Sequence, residues 1–123
     1  MTVLGIFSGS GFYDFPGLEE VEDRVIKTHF GPASVRLGVL SGRSIAFLAR
    51  HGRGHQILPN TINYRANLLA LKALGSSALV STTICGVCDP STPLAVPIVF
   101  EDLYFPGNRL PNREICSIYD TVG

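Results

Sequence analysis

The reading of this chain turns on residues 47–75, FLARHGRGHQILPNTINYRANLLALKALG. The stretch continues an apolar run, Ile45-Ala46-Phe47-Leu48-Ala49, that predicts a central strand. Arg50, His51, Arg53 and His55 crowd the end of that strand. Pro59-Asn60-Thr61 then gives a helix-start signal, with Asn60 or Thr61 as the N-cap. Ile62, Ala66, Leu69 and Ala73 recur at helical spacing and form a stripe to be buried. Leu68, Leu71 and Leu74 widen it, which predicts a helix covered on more than one side, and Gly75 stands where it stops. Residues 77–83, SALVSTT, read as another buried strand. Strand, helix and strand over residues 45–83 predict a βαβ unit and an α/β sheet.

Upstream, residues 2–7 (TVLGIF) read as a buried strand closed by Ser8-Gly9-Ser10-Gly11. Two glycines and two hydroxyls let the backbone turn tightly and point N–H groups at a ligand. No glycine three residues after Gly11 opens a helix, so this is no dinucleotide fingerprint. Residues 12–22 read as surface loop and residues 24–28 as a short strand, with Gly31-Pro32 breaking the pattern. Residues 35–40 and 44–49 are two strand-like runs separated by Ser41-Gly42-Arg43, a hairpin signal. Val35, Leu37 and Val39 alternate with Arg36 and Gly38, which predicts one solvated face. Downstream, residues 89–93 form a turn-rich link and residues 96–100 a last strand, near an edge because of Pro97. From Glu101 on there is no periodicity.

The 123 residues suffice for one domain with a core. Hydrophobic residues are 46% and charged ones 16%, a balance that leaves apolar surface for a partner subunit or a further part of the fold. The net charge is zero, which gives no field favouring nucleic acid or an anionic membrane. No run of about 18 apolar residues is long enough to span a bilayer. The first residues, MTVLGIFSGSG, lack a basic segment and a long apolar one, so no signal peptide is expected. Three cysteines, Cys85, Cys88 and Cys116, fit a reducing cytoplasm better than a disulfide framework.

In an α/β sheet, ligands bind beyond the carboxyl ends of the strands. Residues 8–11, Arg50 with His51, and Thr82-Thr83 with the Ile84 amide all meet that rule. A guanidinium, an imidazole, hydroxyls and backbone N–H groups at one edge suit a tetrahedral oxyanion, since Arg grips two oxygens at once. Phosphate is the anion that this set fits.

FSGSGFYD, ARHGRGH, Pro59, INYRANLLALKALG and STTICG, in this order and spacing, resemble the N-terminal half of the S-methyl-5′-thioadenosine phosphorylase branch of the purine nucleoside phosphorylase family. The resemblance covers roughly residues 1–88 and leaves residues 89–123 as a diverged tail of a single, incomplete domain. It implies a mixed α/β sheet with a flanking helix, usually trimeric. It implies phosphorolysis of S-methyl-5′-thioadenosine or methylthioinosine to free purine and 5-methylthioribose 1-phosphate, with inorganic phosphate as co-substrate and no metal or other cofactor. Phosphate is then expected on Ser10, Arg50, His51, Thr83 and the Ile84 main chain, while Asn63, Tyr64 and Asn67 take structural roles. No candidate for the purine-protonating group is present. Two alternatives stay open: a non-catalytic remnant or assembly module of the same family, and an inosine or guanosine phosphorylase.

Several residues depart from the family pattern. Ser8-Gly9 stands where two adjacent glycines are usual, and Ile84 where a small residue is usual. Leu94-Ala95-Val96 and Tyr104-Phe105-Pro106-Gly107 replace the family's later motifs. Cys85-Gly86-Val87-Cys88 invites a zinc or redox reading, but a zinc site needs four ligands and no second suitable pair exists. A thioredoxin-type pair would sit at a helix start. The family context makes Cys85 a small packing residue.

Overall fold

A computed structural model describes residues 2–107, 109, 113 and 114. Cys116 lies outside them. Two compact units divide after Thr83, Met1–Thr83 and Ile84–Gly123.

The first unit is one five-stranded mixed sheet with a helix. Its strands are β1 (Val3–Ser8), β2 (Glu19–Thr28), β3 (Gly31–Leu40), β4 (Arg43–Ala49) and β5 (Ser76–Ser81), in the order β2-β3-β4-β1-β5. The β2-β3 and β3-β4 pairs are antiparallel, and β1 runs parallel to both β4 and β5. The expected parallel crossover is present, but it passes over β1: β4 and β5 each pair with β1 rather than with each other.

The β3-β4 hairpin forms where Ser41-Gly42 supplies positive φ at both central residues, 48° and 75°. That is the backbone twist a two-residue hairpin turn requires. Gly31-Pro32 does not interrupt the sheet. Thr28 pairs with Gly31 and Lys27 with Pro32, so β3 starts there and β2 reaches back to Glu19, inside the stretch expected to be loop.

Helix α1 (Tyr64–Ala73) begins at Asn63, not at Asn60 or Thr61. Residues Pro59–Thr61 close a separate 3-10 turn, and Ile62 is extended, so the helix nucleates one step later. The Asn63 side chain accepts from the Ala66 N–H at 3.0 Å, and its amide donates to the Phe30 carbonyl at 2.6 Å. At the other end the Gly75 N–H returns to the Lys72 carbonyl.

Ala66, Ala70 and Leu71 of α1 pack on Ala33, Val35, Ala46 and Leu48 of the sheet. Small residues at the helix contact bring it close to the strands, and each fully buried Leu or Val contributes about 1.5–3 kcal/mol. The buried stripe is therefore narrower than expected: Leu68 and Ala73 are exposed. On the opposite sheet face Phe12, Phe15 and Leu18 pack against Ile6, Ile45 and Phe47. This covers the face of β3 expected to be solvated. Arg36 is only 20% exposed there and is ion-paired to Asp14 and Asp23.

Strand β5 is mostly exposed rather than buried, with Leu79 and Val80 open at the edge of the sheet. In the second unit residues 96–100 form no strand. Asp89 closes a turn with Ser91 and Thr92. No helix among the described residues is long and apolar enough to cross a membrane.

Candidate functional site

Parallel pairing in register aligns the carboxyl ends of three strands. Ser8 stands opposite Ala49 of β4, and Phe7 opposite Ser81 of β5. The ladders run one step past the strands: Arg50 N–H donates to the Ser8 carbonyl at 3.2 Å and Thr82 N–H to the Phe7 carbonyl at 3.0 Å. The Gly loop, Arg50 and Thr82-Thr83 therefore converge as the sequence predicts.

The Arg50 guanidinium reaches across β1. Its Nη1 donates to the Thr82 carbonyl at 2.8 Å and its Nη2 to Thr83 Oγ1 at 3.2 Å. The Gly9 N–H donates to Thr82 Oγ1 at 3.3 Å. A Cβ at Gly9 would lie 2.5 Å from Arg50 Nη2 and 2.6 Å from the Thr82 carbonyl. The missing side chain is thus the space the guanidinium occupies. The remaining Arg50 N–H groups keep their donor capacity, and Thr83 still has its own O–H to give. Thr82 and Gly9 matter more than the sequence reading allowed. The signal was present, a small residue opposite a long cation, but only pairing register reveals it.

Ser10 follows in the turn, half-buried. Ser8 is fully buried, and its hydroxyl has no hydrogen-bond partner among the described residues. Ile84 opens the second unit and is exposed.

His51 is buried. Its Nδ1 lies 3.0 Å from the Ile57 carbonyl, and its ring stacks on His55 at 4.7 Å. A carbonyl only accepts, so Nδ1 carries the proton; Nε2 then donates to an anion only in the imidazolium form. His55 in turn hydrogen-bonds Tyr13 Oη, and Arg53 pairs with Asp23 at 3.1 Å. These two residues orient the loop between β4 and the 3-10 turn, tying it to residue 13 and to β2. Tyr13 carried no sequence signal beyond its place after the Gly loop.

A separate cleft of about 250 Å³ opens beside β2, β3 and β4, lined in part by Tyr13, Arg24, Arg36, Phe47 and Arg53. Its cations are already matched by Glu22, Asp14 and Asp23. It is a less suitable anion site than the Arg50 cluster despite its size. No group of three or more metal-ligating side chains gathers among the described residues. Cys85 and Cys88 are free and exposed, so Cys85 is not a packing residue.

No protein-family model matches the chain. Known proteins do. An S-methyl-5′-thioadenosine phosphorylase of Bradyrhizobium diazoefficiens is 49% identical over 87 residues, 69% of this chain and 30% of that protein. A 6-oxopurine nucleoside phosphorylase of Pyrococcus furiosus is 43% identical over 90 residues, 73% of this chain and 34% of its own length. A purine nucleoside phosphorylase of Streptomyces coelicolor is 38% identical over 127 residues, covering 94% of this chain and 45% of the relative. Among solved structures, methylthioadenosine phosphorylase from Schistosoma mansoni in complex with adenine superposes with a TM-score of 0.61 at 37% identity, over 66% of this chain and 29% of that one. The chain spans about three-tenths of the first relatives it matches.

These likenesses set the class: over its first two thirds the chain is similar to proteins of the purine nucleoside phosphorylase family, of whose fold it spans an incomplete part. Within that family it is similar to the S-methyl-5′-thioadenosine phosphorylase branch.

Proposed function

We propose that this chain carries the phosphate-holding wall of a nucleoside phosphorylase acting on S-methyl-5′-thioadenosine or methylthioinosine. Phosphate sits on Ser10, Arg50, His51, Thr83 and the Ile84 main chain. The observation that carries the reading is the Arg50 guanidinium, held by Thr82 and Thr83 where the ends of β4, β1 and β5 meet. Two of its donors are spent on fixing its position, and the rest remain for an oxyanion.

Phosphate is a poor nucleophile, so the gain comes from holding it against the anomeric carbon. The departing purine leaves an oxocarbenium-like ribose, whose positive charge the bound dianion stabilises. A proton or hydrogen bond at purine N7 helps the base leave. The products are free purine and 5-methylthioribose 1-phosphate. The reading includes a homo-oligomer, a trimer by family resemblance, in the cytoplasm, with no nucleic-acid or membrane partner and no cofactor besides co-substrate phosphate.

Two other readings have support of their own. The relative from Pyrococcus furiosus, a 6-oxopurine nucleoside phosphorylase, favours inosine or guanosine as substrate. The open β5 edge, an apolar strand face left for a partner, favours a non-catalytic assembly module. Titrating the isotope-labelled chain with inorganic phosphate tests the site. The amide signals of Ser10, Arg50 and Thr83 shift together at millimolar phosphate; unchanged signals there overturn the assignment. Purine release from methylthioadenosine and from inosine, with and without phosphate, then separates substrate and remnant readings.

A further inference from the structure

We propose that Cys85 and Cys88 form a reversible dithiol–disulfide site, oxidised by low-molecular-weight disulfides. Both thiols are free and exposed, and two residues separate them. The backbone of residues 84–87 is irregular, with a bend at Cys88. A Cβ built on Gly86, between the two cysteines, meets nothing within 4 Å. The segment therefore has room to fold the two sulfurs together.

The surroundings favour this chemistry over the alternatives. A closed zinc site takes four ligands, and no third or fourth donor gathers near the pair among the described residues. No helix begins at Cys85, so the pair lacks the helix N-terminus that sets up a thioredoxin-type catalytic thiolate. What remains is an accessible pair that exchanges with a disulfide in solution. The Cys85 thiolate attacks one sulfur of the external disulfide, forming a mixed disulfide and releasing one thiolate. The Cys88 thiolate then attacks the Cys85 sulfur, closing the internal bond and releasing the second thiolate. The two protons lost by the cysteines go to those leaving thiolates. The chain is oxidised by two electrons and the external disulfide is reduced to two thiols.

The test uses the full chain carrying Cys116→Ser, in buffers of reduced and oxidised glutathione. Free thiols are counted and the Cys85–Cys88 peptide is weighed. The expected result is loss of both thiols, a mass lower by two hydrogens, and full recovery in excess reduced glutathione. Cys88→Ser added to that background stops the reaction at a glutathione adduct on Cys85. If Cys116→Ser does not fold, peptide mapping of the unsubstituted chain gives the same readout. Thiols that stay free in excess oxidised glutathione, or bonds formed only between chains, overturn the proposal. This outcome does not depend on phosphate binding.

Discussion

The Arg50 guanidinium fills the space that a side chain at Gly9 would need. A Cβ on Gly9 would come within 2.5 Å of Arg50 Nη2 and 2.6 Å of the Thr82 carbonyl. One clash would press on the cation and the other on the backbone one residue past β5. Gly9→Ala is thus expected to push Arg50 off Thr82 and Thr83. Overpacking of this kind costs about 1–3 kcal/mol of stability. Urea unfolding checks the stability loss, and phosphate titration checks the clamp. A Gly9→Ala chain of unchanged stability and phosphate response would refute the close approach.

Much of this geometry was legible in residues 45–55. Five consecutive apolar residues require cover on both faces, and β4 lies between β3 and β1 with both faces packed. The cationic cluster after it follows from the strand's direction. Other features were not legible. The SALVS run reads the same whether a strand has one neighbour or two, so its apolarity gave no warning that β5 is a sheet edge. Residues 96–100 have strand composition, but ladder pairing needs a partner and Pro97 offers no N–H. The Arg50–Gly9 contact depends on register, which no local pattern encodes.

Asn63 joins two elements with one side chain. Its Oδ1 caps the Ala66 N–H, and its Nδ2 donates to the Phe30 carbonyl in the β2-β3 turn. Asn63→Ala loses both bonds, and loss of the cap alone costs about 0.5–2 kcal/mol. Asn63→Asp keeps the cap acceptor but cannot donate to Phe30. The expected order of stability is Asn, then Asp, then Ala, read from urea midpoints. If Asp and Ala are equally destabilised, the cap contributes nothing and the Phe30 bond accounts for the whole effect.

Asp89 has its carboxyl held below the ordinary aspartate value. The Ser91 backbone N–H is the larger cause and the Ser91 hydroxyl the second. A depressed carboxyl stabilises its turn above the unfolded value and loses that effect as pH falls through the folded one. The turn over residues 89–92 should therefore loosen only in acid below the ordinary aspartate range. Ser91→Ala removes the hydroxyl and keeps the N–H, so the Asp89 midpoint should rise part of the way back. Carboxyl NMR titration of the two chains measures this. An identical midpoint would show that the hydroxyl has no influence.

Ser8 brings a buried hydroxyl to the end of β1 without a partner among the described residues. Leaving such a group unpaired costs about 1–3 kcal/mol, whereas an apolar replacement of similar shape removes that penalty. Ser8→Ala keeps the strand's Cβ and deletes only the oxygen. It should therefore stabilise the chain, by about 1 kcal/mol after the small void is counted. Thermal unfolding without phosphate tests the sign. Repeating the scan with phosphate separates two roles for the oxygen. If Ser8 helps to hold the anion, the alanine chain gains less stability from phosphate than the unsubstituted one, because bound ligand stabilises in proportion to affinity. If the hydroxyl is only a strained remnant, both chains gain equally. A Ser8→Ala chain that unfolds earlier in both conditions would mean that the hydroxyl has a partner and that the β1 end is held together through it.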